Sequence, residues 1–281
     1  MKKLLSMALA LVMICSLFAV PAMAATIELD LINNGTFESS APGTTLGTTP
    51  TATSFASAKS ATITVANVDG NNVLQITPAS RDSAFKSNTF SVTADETFKL
   101  EYDVFVTKEY ENGLVRIYAM DVSSNLTYDG HSVTMTDMDG NVVTGANTNG
   151  ANHYVPVNKW VHVTSNVKAT ATGTAYFGHT IRCADGNYAA TDRIYLDNIS
   201  LTKEVEGYNV NVTETQPTLG TVTAPAFAAG TGTTITVTTE PGYYLYSATL
   251  DGTPVTFTKN NGVYTYALDG TNVTADQNLV I

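Results

Sequence analysis

Cysteine is nearly absent from this sequence, and basic residues are scarce. Cys15 lies in an apolar N-terminal segment and Cys183 is the only other cysteine, so a processed chain would have no internal disulfide framework. Fourteen Lys and Arg residues stand against 25 Asp and Glu residues, which gives a formal net charge of -11 at pH 7. This acidic balance argues against nucleic acid and anionic membranes as partners.

Sequence signatures of catalysis are also missing. The chain has no H-E-x-x-H, no G-x-S-x-G and no P-loop motif, and its four histidines show no metal-ligand spacing. The four acids between Glu101 and Glu111 supply material for a glycosidase carboxylate pair, but their separation in space cannot be read from the sequence. We therefore expect a protein that is not an enzyme.

The N-terminus has the pattern of a secretory signal peptide. Lys2 and Lys3 precede an apolar run from Leu4 to Val20, and an A-x-A cleavage site ends at Ala24. The run is too short and too close to this site to favour a membrane anchor. Removal of residues 1–24 takes away two lysines and no acids, so the net charge moves from -11 to about -13. We expect a secreted protein, located outside the cell or at its surface.

Helical periodicity is absent after residue 24, and the composition favours strands. Thr, Val, Tyr, Ile and Phe fill the runs, while Asn, Gly and Asp separate them. The clearest predicted strands are Ala61 to Val65, Val73 to Ile76, Phe90 to Val92, Phe98 to Val106, Leu114 to Met120, Trp160 to Val167, Ala175 to Ile181 and Arg193 to Leu201. Short strands with frequent turn signals predict an all-β fold of the two-sheet sandwich type.

Two predicted strands carry candidate ligand-binding residues. Alternation places Asp103 on the face opposite Leu100 and Tyr102, and it places Arg116 with Tyr118 on one side of the next strand. We expect these three residues to share one surface. Tyrosine rings pack against the apolar face of a sugar and charged groups bind its hydroxyls, but an ordinary solvated sheet face would show the same pattern.

Residues 30–202 resemble a known family through four segments in order. These are Asn34-Gly35-Thr36-Phe37-Glu38, residues 68–76 with Asp69-Gly70-Asn71-Asn72, residues 158–163 with Trp160, and residues 194–201 with Leu196-Asp197-Asn198-Ile199. They are similar to carbohydrate-binding modules of families four, nine and twenty-two, the β-jelly rolls attached to secreted polysaccharide-degrading enzymes. The resemblance implies a jelly roll that binds a polysaccharide or oligosaccharide on its concave sheet or at its loop tips.

The same resemblance implies a structural calcium ion. Its ligands would be the Thr36 carbonyl, Glu38, Asp69, the Asn72 carbonyl and Asp197. Carboxylate and carbonyl oxygens are the ligands that calcium requires. The alternative is that residues 69–72 form only a hairpin turn and that Glu38 is a surface acid.

Stacking residues do not transfer from the family by motif. Trp160 begins a strand and is expected in the core, which leaves Tyr118 and Tyr176 as platforms. Asp103, Arg116, His179 and Arg182 are the polar candidates. The segment from Asp121 to Asn158 is either a binding loop over the cleft or an extra hairpin through Asp139-Gly140-Asn141, and the sequence does not decide between them.

A second domain is predicted after the charged stretch from Lys203 to Glu206, which divides the chain into residues 25–205 and 206–281. Residues 206–281 resemble internalin B-type repeats and related Ig-like modules, through Gly242-Tyr243 before an apolar pair and a turn at Asp251-Gly252. Bacterial surface proteins use such modules as spacers. The family's last strand continues beyond the equivalent of Ile281, as expected for a fragment of a longer protein.

Together these patterns predict a secreted, non-catalytic carbohydrate-binding protein. It would recognise a polysaccharide through a concave sheet face and contain a structural calcium ion. Two alternatives remain open: a structural or adhesive protein associated with the cell wall or surface, and an accessory fragment of a larger glycoside hydrolase.

Overall fold

The computed structural model describes residues 25–59, 61–79, 82–108, 113–118, 120–143, 147–149, 152–182 and 191–281. The predicted leader at residues 1–24, Cys183, Glu109 and Glu111 lie outside these ranges. Within them every regular element is a β-strand. None of the described residues belongs to a helix that is long and apolar enough to cross a membrane.

In chain order the first fifteen strands are β1 (Ala25–Asp30), β2 (Ala56–Ala58), β3 (Ala61–Val68), β4 (Asn71–Pro78), β5 (Asp82–Lys86), β6 (Phe90–Val92), β7 (Thr97–Val106), β8 (Leu114–Tyr118), β9 (Leu126–Thr136), β10 (Asn147–Asn149), β11 (Asn152–Pro156), β12 (Val161–Ala169), β13 (Gly173–Ala175), β14 (Gly178–Arg182) and β15 (Ile194–Tyr208). The others are β16 (Val210–Thr213), β17 (Gly220–Thr223), β18 (Phe227–Ala228), β19 (Thr233–Thr239), β20 (Thr249–Leu250), β21 (Thr253–Pro254), β22 (Thr258–Asn260), β23 (Val263–Leu268) and β24 (Gln277–Val280).

Contacts divide the described chain into two compact units. One is formed by Glu28–Lys203, and the other by Glu204–Ile281 together with residues 25–27. The larger unit has two main sheets. The first has the strand order β3-β4-β15-β7-β12-β9, with β1 also paired to β15, and the second has the order β10-β11-β8-β14-β5-β2. The predicted all-β fold, a jelly-roll type of sandwich followed by a smaller β domain, is confirmed.

Alternating side chains on neighbouring strands build the core of the larger unit. On β7 the inward residues are Phe98, Leu100, Tyr102, Val104 and Val106, all buried. On β12 the inward positions begin with Val161 and Val163 and continue with the same period of two. Burial of these apolar side chains between the two sheets is the main source of stability of this unit.

The last strand of the sandwich contains a β-bulge where the sequence alternation breaks. The pairing of β15 with β7 shifts register between Asp197 and Ser200, and Asn198 has a positive φ of 49°. The bulge brings Ile199 against the N-terminal segment, where its N–H donates to the Gly35 carbonyl at 3.0 Å. A Cβ atom at Gly35 would lie 1.8 Å from the Ile199 oxygen, so only glycine fits here.

The segment from Asp121 to Asn158 is neither a loop over a cleft nor merely an added hairpin. Its strand β9 pairs with β12 in the first sheet, and its strand β11 pairs with β8 in the second. Between them the Asp137 carboxylate accepts hydrogen bonds from the N–H groups of Asp139 and Asn141, at 3.1 and 2.9 Å. The acidic stretch therefore closes a turn, and the segment contributes to both layers of the sandwich.

The smaller unit has two sheets of its own. Their orders are β16-β24-β20-β21, in which β16 and β24 are parallel, and β17-β19-β23-β22, which is antiparallel. A separate buried cluster fills the space between them, formed by Val210, Phe227, Ile235, Ala248, Leu268 and Leu279.

His179 lies in the core of the sandwich, which corrects its expected place on a ligand-binding surface. Gly178 takes the outward position on β14, and His179 points inward with no exposed area. Its ring lies 5.3 Å from the ring centroid of Tyr102 on the opposite sheet, and its Nδ1 accepts a hydrogen bond from the Met120 N–H. Burial, with the charge of His153 as a smaller cause, lowers the pKa of His179 to about 3.

This buried histidine predicts a loss of stability in mild acid. The unfolded chain takes up a proton at His179 below about pH 6.5, while the folded chain does so only near pH 3. The free energy of unfolding should therefore fall between these values, by up to about 1.4 kcal/mol per pH unit from this residue. Denaturant titrations at several pH values should show a shallower slope for His179→Asn, and an identical slope would contradict the assignment.

Candidate functional site

The outer surface of the second sheet carries a cluster of tyrosines and cations. Cross-strand partners share a face, so the pairings Tyr154 with Arg116 and Arg116 with Arg182 place these three side chains in one row. Tyr118 pairs with Thr180 in the next row, and Val115 and Ile117 point into the core. We use the term tyrosine–cation face for the surface formed by Lys86, Arg116, Tyr118, Tyr154, Tyr176 and Arg182.

Two guanidinium groups contact the ring of Tyr118. The Cζ atoms of Arg116 and Arg182 lie 4.4 and 4.5 Å from its ring centroid, and the Arg116 Cζ lies 5.9 Å from that of Tyr154. Cations at these distances are attracted to the electron-rich face of the ring. The contacts hold half-buried tyrosines in place and set N–H donors directly beside aromatic surface.

The two arginines differ in how their charge is compensated. Arg182 donates to both oxygens of Asp82, from Nε to Oδ1 at 2.6 Å and from Nη2 to Oδ2 at 2.8 Å. This paired geometry is the strongest form of the arginine–carboxylate contact. Within the described ranges Arg116 forms no salt bridge, and its buried Nε has no hydrogen-bond partner.

An open cleft of about 710 Å³ lies at the end of the same sheet. Tyr176 and Lys86 line it, and the Lys86 Nζ lies 5.3 Å from the ring centroid of Tyr176. On its other side the Lys59 Nζ donates to Asp121 Oδ2 and to Thr180 Oγ1, both at 2.6 Å. The cleft thus combines an aromatic ring and two ammonium groups with the carboxylate of Asp121.

The expectation that Asp103 shares a surface with Arg116 and Tyr118 is wrong. Asp103 lies on β7 in the first sheet, whereas the other two lie on β8 in the second. The chain crosses the sandwich between these strands, so outward positions on the two strands point to opposite surfaces. Asp103 instead accepts hydrogen bonds from His162 Nδ1 and from Asn198 Nδ2, both at 2.7 Å.

Asp103 and Asp197 form a buried pair of carboxylates on the first sheet. They are cross-strand partners and each is only 4% exposed. Asp197 Oδ2 accepts a hydrogen bond from Asn71 Nδ2 at 2.5 Å, but its buried Oδ1 has no hydrogen-bond partner. Burial raises the pKa of the Asp197 carboxyl, and the charges of Asp103 and Glu38 raise it further.

Of the residues expected to bind calcium, Glu38 and Asp69 lie near Asp197. Glu38 Oε1 accepts a hydrogen bond from the Asn72 N–H at 2.9 Å, and Asp69 lines a cavity of about 250 Å³ together with Asp197. Thr36 directly follows Gly35, which is bonded to the bulge. In the part of the chain that the structure describes, no three His, Cys, Asp or Glu side chains are already grouped as metal ligands.

This donor set nevertheless has the chemistry that calcium prefers. It consists of oxygen atoms, and it includes a buried carboxylate oxygen with no partner beside other acids. An unpaired buried charge is costly, and a bound cation would remove that cost. The residues present therefore fit a hard divalent cation.

Trp160 is not a core residue, in contrast to the sequence expectation. It is half-buried and lines the same cavity as Asp103 and Asp197. Its ring lies 5.6 Å from that of Phe105, which lies 6.1 Å from Tyr195. The adjacent Val161 takes the inward position at the start of β12.

Lys86 and Tyr154 were missed as surface candidates at the sequence level. Lys86 ends the five-residue strand β5, in which Ser83, Ala84 and Phe85 are all buried, so the strand shows no polar–apolar alternation. Tyr154 lies in the segment that the sequence did not assign. Its place beside Arg116 follows only from the pairing of β11 with β8.

No family model and no curated protein matches the chain. Among solved structures, the enzymatically active domain of tailspike protein 4 from bacteriophage CBA120 aligns with 61% of the chain at 14% identity and a TM-score of 0.31, and the chain spans 21% of its length. The CBM22-2 xylan-binding domain of a Paenibacillus barcinonensis protein aligns over 63% of this chain and 98% of its own, at 9% identity and a TM-score of 0.32.

The adhesin domain of Epf from Streptococcus pyogenes aligns over 90% of this chain and 91% of its own, at 13% identity and a TM-score of 0.33. At these TM-scores the similarities carry no argument about family or function.

Proposed function

We propose that this protein is a secreted, non-catalytic carbohydrate-binding protein that recognises a polysaccharide on the tyrosine–cation face. The observation that carries the proposal is the grouping of three half-buried tyrosines with arginine and lysine donors on one sheet surface. Tyrosine rings pack against the C–H faces of sugars, and the charged groups donate hydrogen bonds to the hydroxyls. The surface is open, as binding along an extended polymer requires.

We infer that this face binds its ligand and does not hydrolyse it. Among the described residues, the carboxylates beside it that contact its cations are Asp82 and Asp121, which are engaged by Arg182 and Lys59 respectively. A glycosidase needs one protonated and one ionised carboxyl group on either side of the scissile bond. Carboxylates neutralised by neighbouring cations do not provide that pair.

Calcium is proposed as a structural ion on the opposite sheet. Glu38, Asp69 and Asp197 would supply carboxylate oxygens, and Thr36 and Asn72 would supply carbonyl oxygens. When bound, the ion would neutralise the buried Asp197 and tie the N-terminal segment to the last strand of the sandwich. The proposed arrangement assigns residues 25–205 to the carbohydrate-binding module and residues 206–281 to an Ig-like or internalin B-type spacer.

Adhesion at a cell surface is the second candidate function, and a feature of the smaller unit favours it. Tyr243, Tyr244 and Tyr246 are 52, 66 and 87% exposed, beside a pocket of about 180 Å³. Exposed tyrosines are frequent in protein-binding surfaces because they offer large contact area at small entropic cost. In this case the exposed tyrosines of the smaller unit would contact a host or neighbouring cell.

The carbohydrate proposal predicts that Tyr118→Ala weakens binding about tenfold, because the stacking platform is lost. Affinity gel electrophoresis of the purified protein against xylans, β-glucans, mannans and pectins measures the effect. Tyr195→Ala is the matched control, since Tyr195 is a half-buried tyrosine on the other sheet. Loss of binding in the control alone would indicate that the binding site lies on that sheet. If no polysaccharide retards the unmutated protein, adhesion would be the favoured function.

The calcium proposal predicts that EDTA lowers the melting temperature by about 5–10 °C, because an ion bound only by the folded state adds stability. Differential scanning calorimetry with and without calcium measures the shift. The variant Asp197→Asn should melt at the same temperature in both conditions. The proposal would be contradicted if EDTA leaves the melting temperature of the unmutated protein unchanged and the purified protein contains no metal.

A further inference from the structure

Positive charge is concentrated on the tyrosine–cation face of an otherwise acidic protein. The whole chain has 14 Lys and Arg residues and a net charge of -11. Four of these cations, Lys59, Lys86, Arg116 and Arg182, lie along this surface and its cleft, where they meet only two carboxylates among the described residues that contact them. The local excess of positive charge is opposite in sign to the protein as a whole.

Two of the four cations have no carboxylate partner among the residues that the structure describes. Arg182 and Lys59 are neutralised by Asp82 and Asp121, but Arg116 and Lys86 form no salt bridge within the described ranges. Each lies instead over a tyrosine ring, and the buried Arg116 Nε lacks a hydrogen-bond partner. Because neither charge is neutralised by a carboxylate of the described residues, both cations remain available to an anionic ligand.

Other lysines of the same unit show that this chain pairs its surface charges. Lys99, Lys168 and Lys203 on the first sheet each bond a carboxylate at 2.8 Å, provided by Glu101, Asp95 and Glu96 respectively. The second sheet therefore differs from the first in leaving cations available. Lysines occur on both sheets, so the sheets differ in whether these lysines are paired with carboxylates.

The two available cations are spaced along the strands. Arg116 is opposite Arg182 and Lys86 is opposite Gly178, four residues apart on β14. At about 3.3 Å per residue the two positions are offset by about 13 Å along the strands, and because β8 and β5 flank β14 they are also about 10 Å apart across the sheet. Tyr118 and Tyr176 lie with them on this face, so positive groups and aromatic rings occur together across the strands from β8 to β5. Such an extended band fits a polymer that carries a negative group on repeating units.

We propose that the polysaccharide recognised by this face is anionic, with carboxylate or sulfate groups on its sugars. Arg116 and Lys86 bind the anionic groups, and Tyr118 and Tyr176 pack against the sugar rings. An arginine fork binds a carboxylate or a sulfate through two parallel hydrogen bonds. This proposal rests on the proposed carbohydrate-binding function and names its ligand class. Nucleic acid is disfavoured because the acidic remainder of the chain repels it.

Paired ligands that differ only in charge test the proposal. We would measure the affinity of the purified protein for polygalacturonate against fully methyl-esterified polygalacturonate, and for dextran sulfate against dextran. The expected result is at least tenfold tighter binding of one charged member than of its neutral counterpart. This preference should shrink as NaCl rises from about 50 to about 200 mM, because salt screens the contacts. The two pairs distinguish carboxylate from sulfate.

Variants assign the preference to the two cations. Arg116→Gln and Lys86→Gln should each reduce affinity for the charged glycan about tenfold, and Arg116→Lys should retain part of it. Lys259→Gln is the matched control, since the Lys259 Nζ also lies over a tyrosine ring, 5.2 Å from the centroid of Tyr264, in the smaller unit. Circular dichroism confirms that each variant is folded.

Each outcome decides a different point. Equal or tighter binding of the neutral glycans, still lost in Tyr118→Ala, would overturn the anionic ligand while the proposed function stands. Charged-glycan binding unchanged in both glutamine variants would overturn the roles of Arg116 and Lys86. Equal affinity for single-stranded DNA would show non-specific anion binding and overturn the proposal. Binding of no glycan would overturn it together with the proposed function.

Discussion

The inward alternation of two facing sheets is the constraint on which the rest of the larger unit depends. Tyr102 from one sheet and His179 from the other meet in the core at 5.3 Å between ring centroids, with Phe85 and Phe177 beside them. Once these residues are inside, every outward side chain is assigned to one of two opposite surfaces. Asp103 and Arg116 are separated for this reason, although only twelve positions lie between them in the chain.

The two outer surfaces consequently differ in the sign of the charge that they leave unbalanced. The first sheet buries Asp103 and Asp197 side by side, and it leaves one carboxylate oxygen without a partner at the bulge that contacts the N-terminal segment. On the second sheet, Arg116 and Lys86 form no salt bridge with any of the described carboxylates. One surface thus carries negative charge that a cation would balance, and the other carries positive charge that an anion would balance. In both cases the charged groups are partly buried, so water cannot fully solvate them.

Strand positions were largely predictable because a half-buried strand repeats every two residues. The predicted strand from Phe98 to Val106 matches β7, and the predicted strand from Leu114 to Met120 contains β8. The segment from Ala175 to Ile181, predicted as one strand, is divided between β13 and β14, and β14 begins at Gly178. A Cβ atom at Gly178 would lie 2.3 Å from the Phe85 oxygen, a close approach that no periodicity reveals.

The sequence by itself determined the all-β class, the low cysteine content, the acidic balance and the two tyrosines proposed as platforms, because these depend on composition and local alternation. Only the tertiary structure decided which strands lie in the same sheet. That assignment separated Asp103 from Tyr118, turned His179 into the core and brought Lys86 and Tyr154 to the surface that carries Arg116. Sheet membership depends on pairing between residues distant in the chain, and local periodicity contains no information about such pairing.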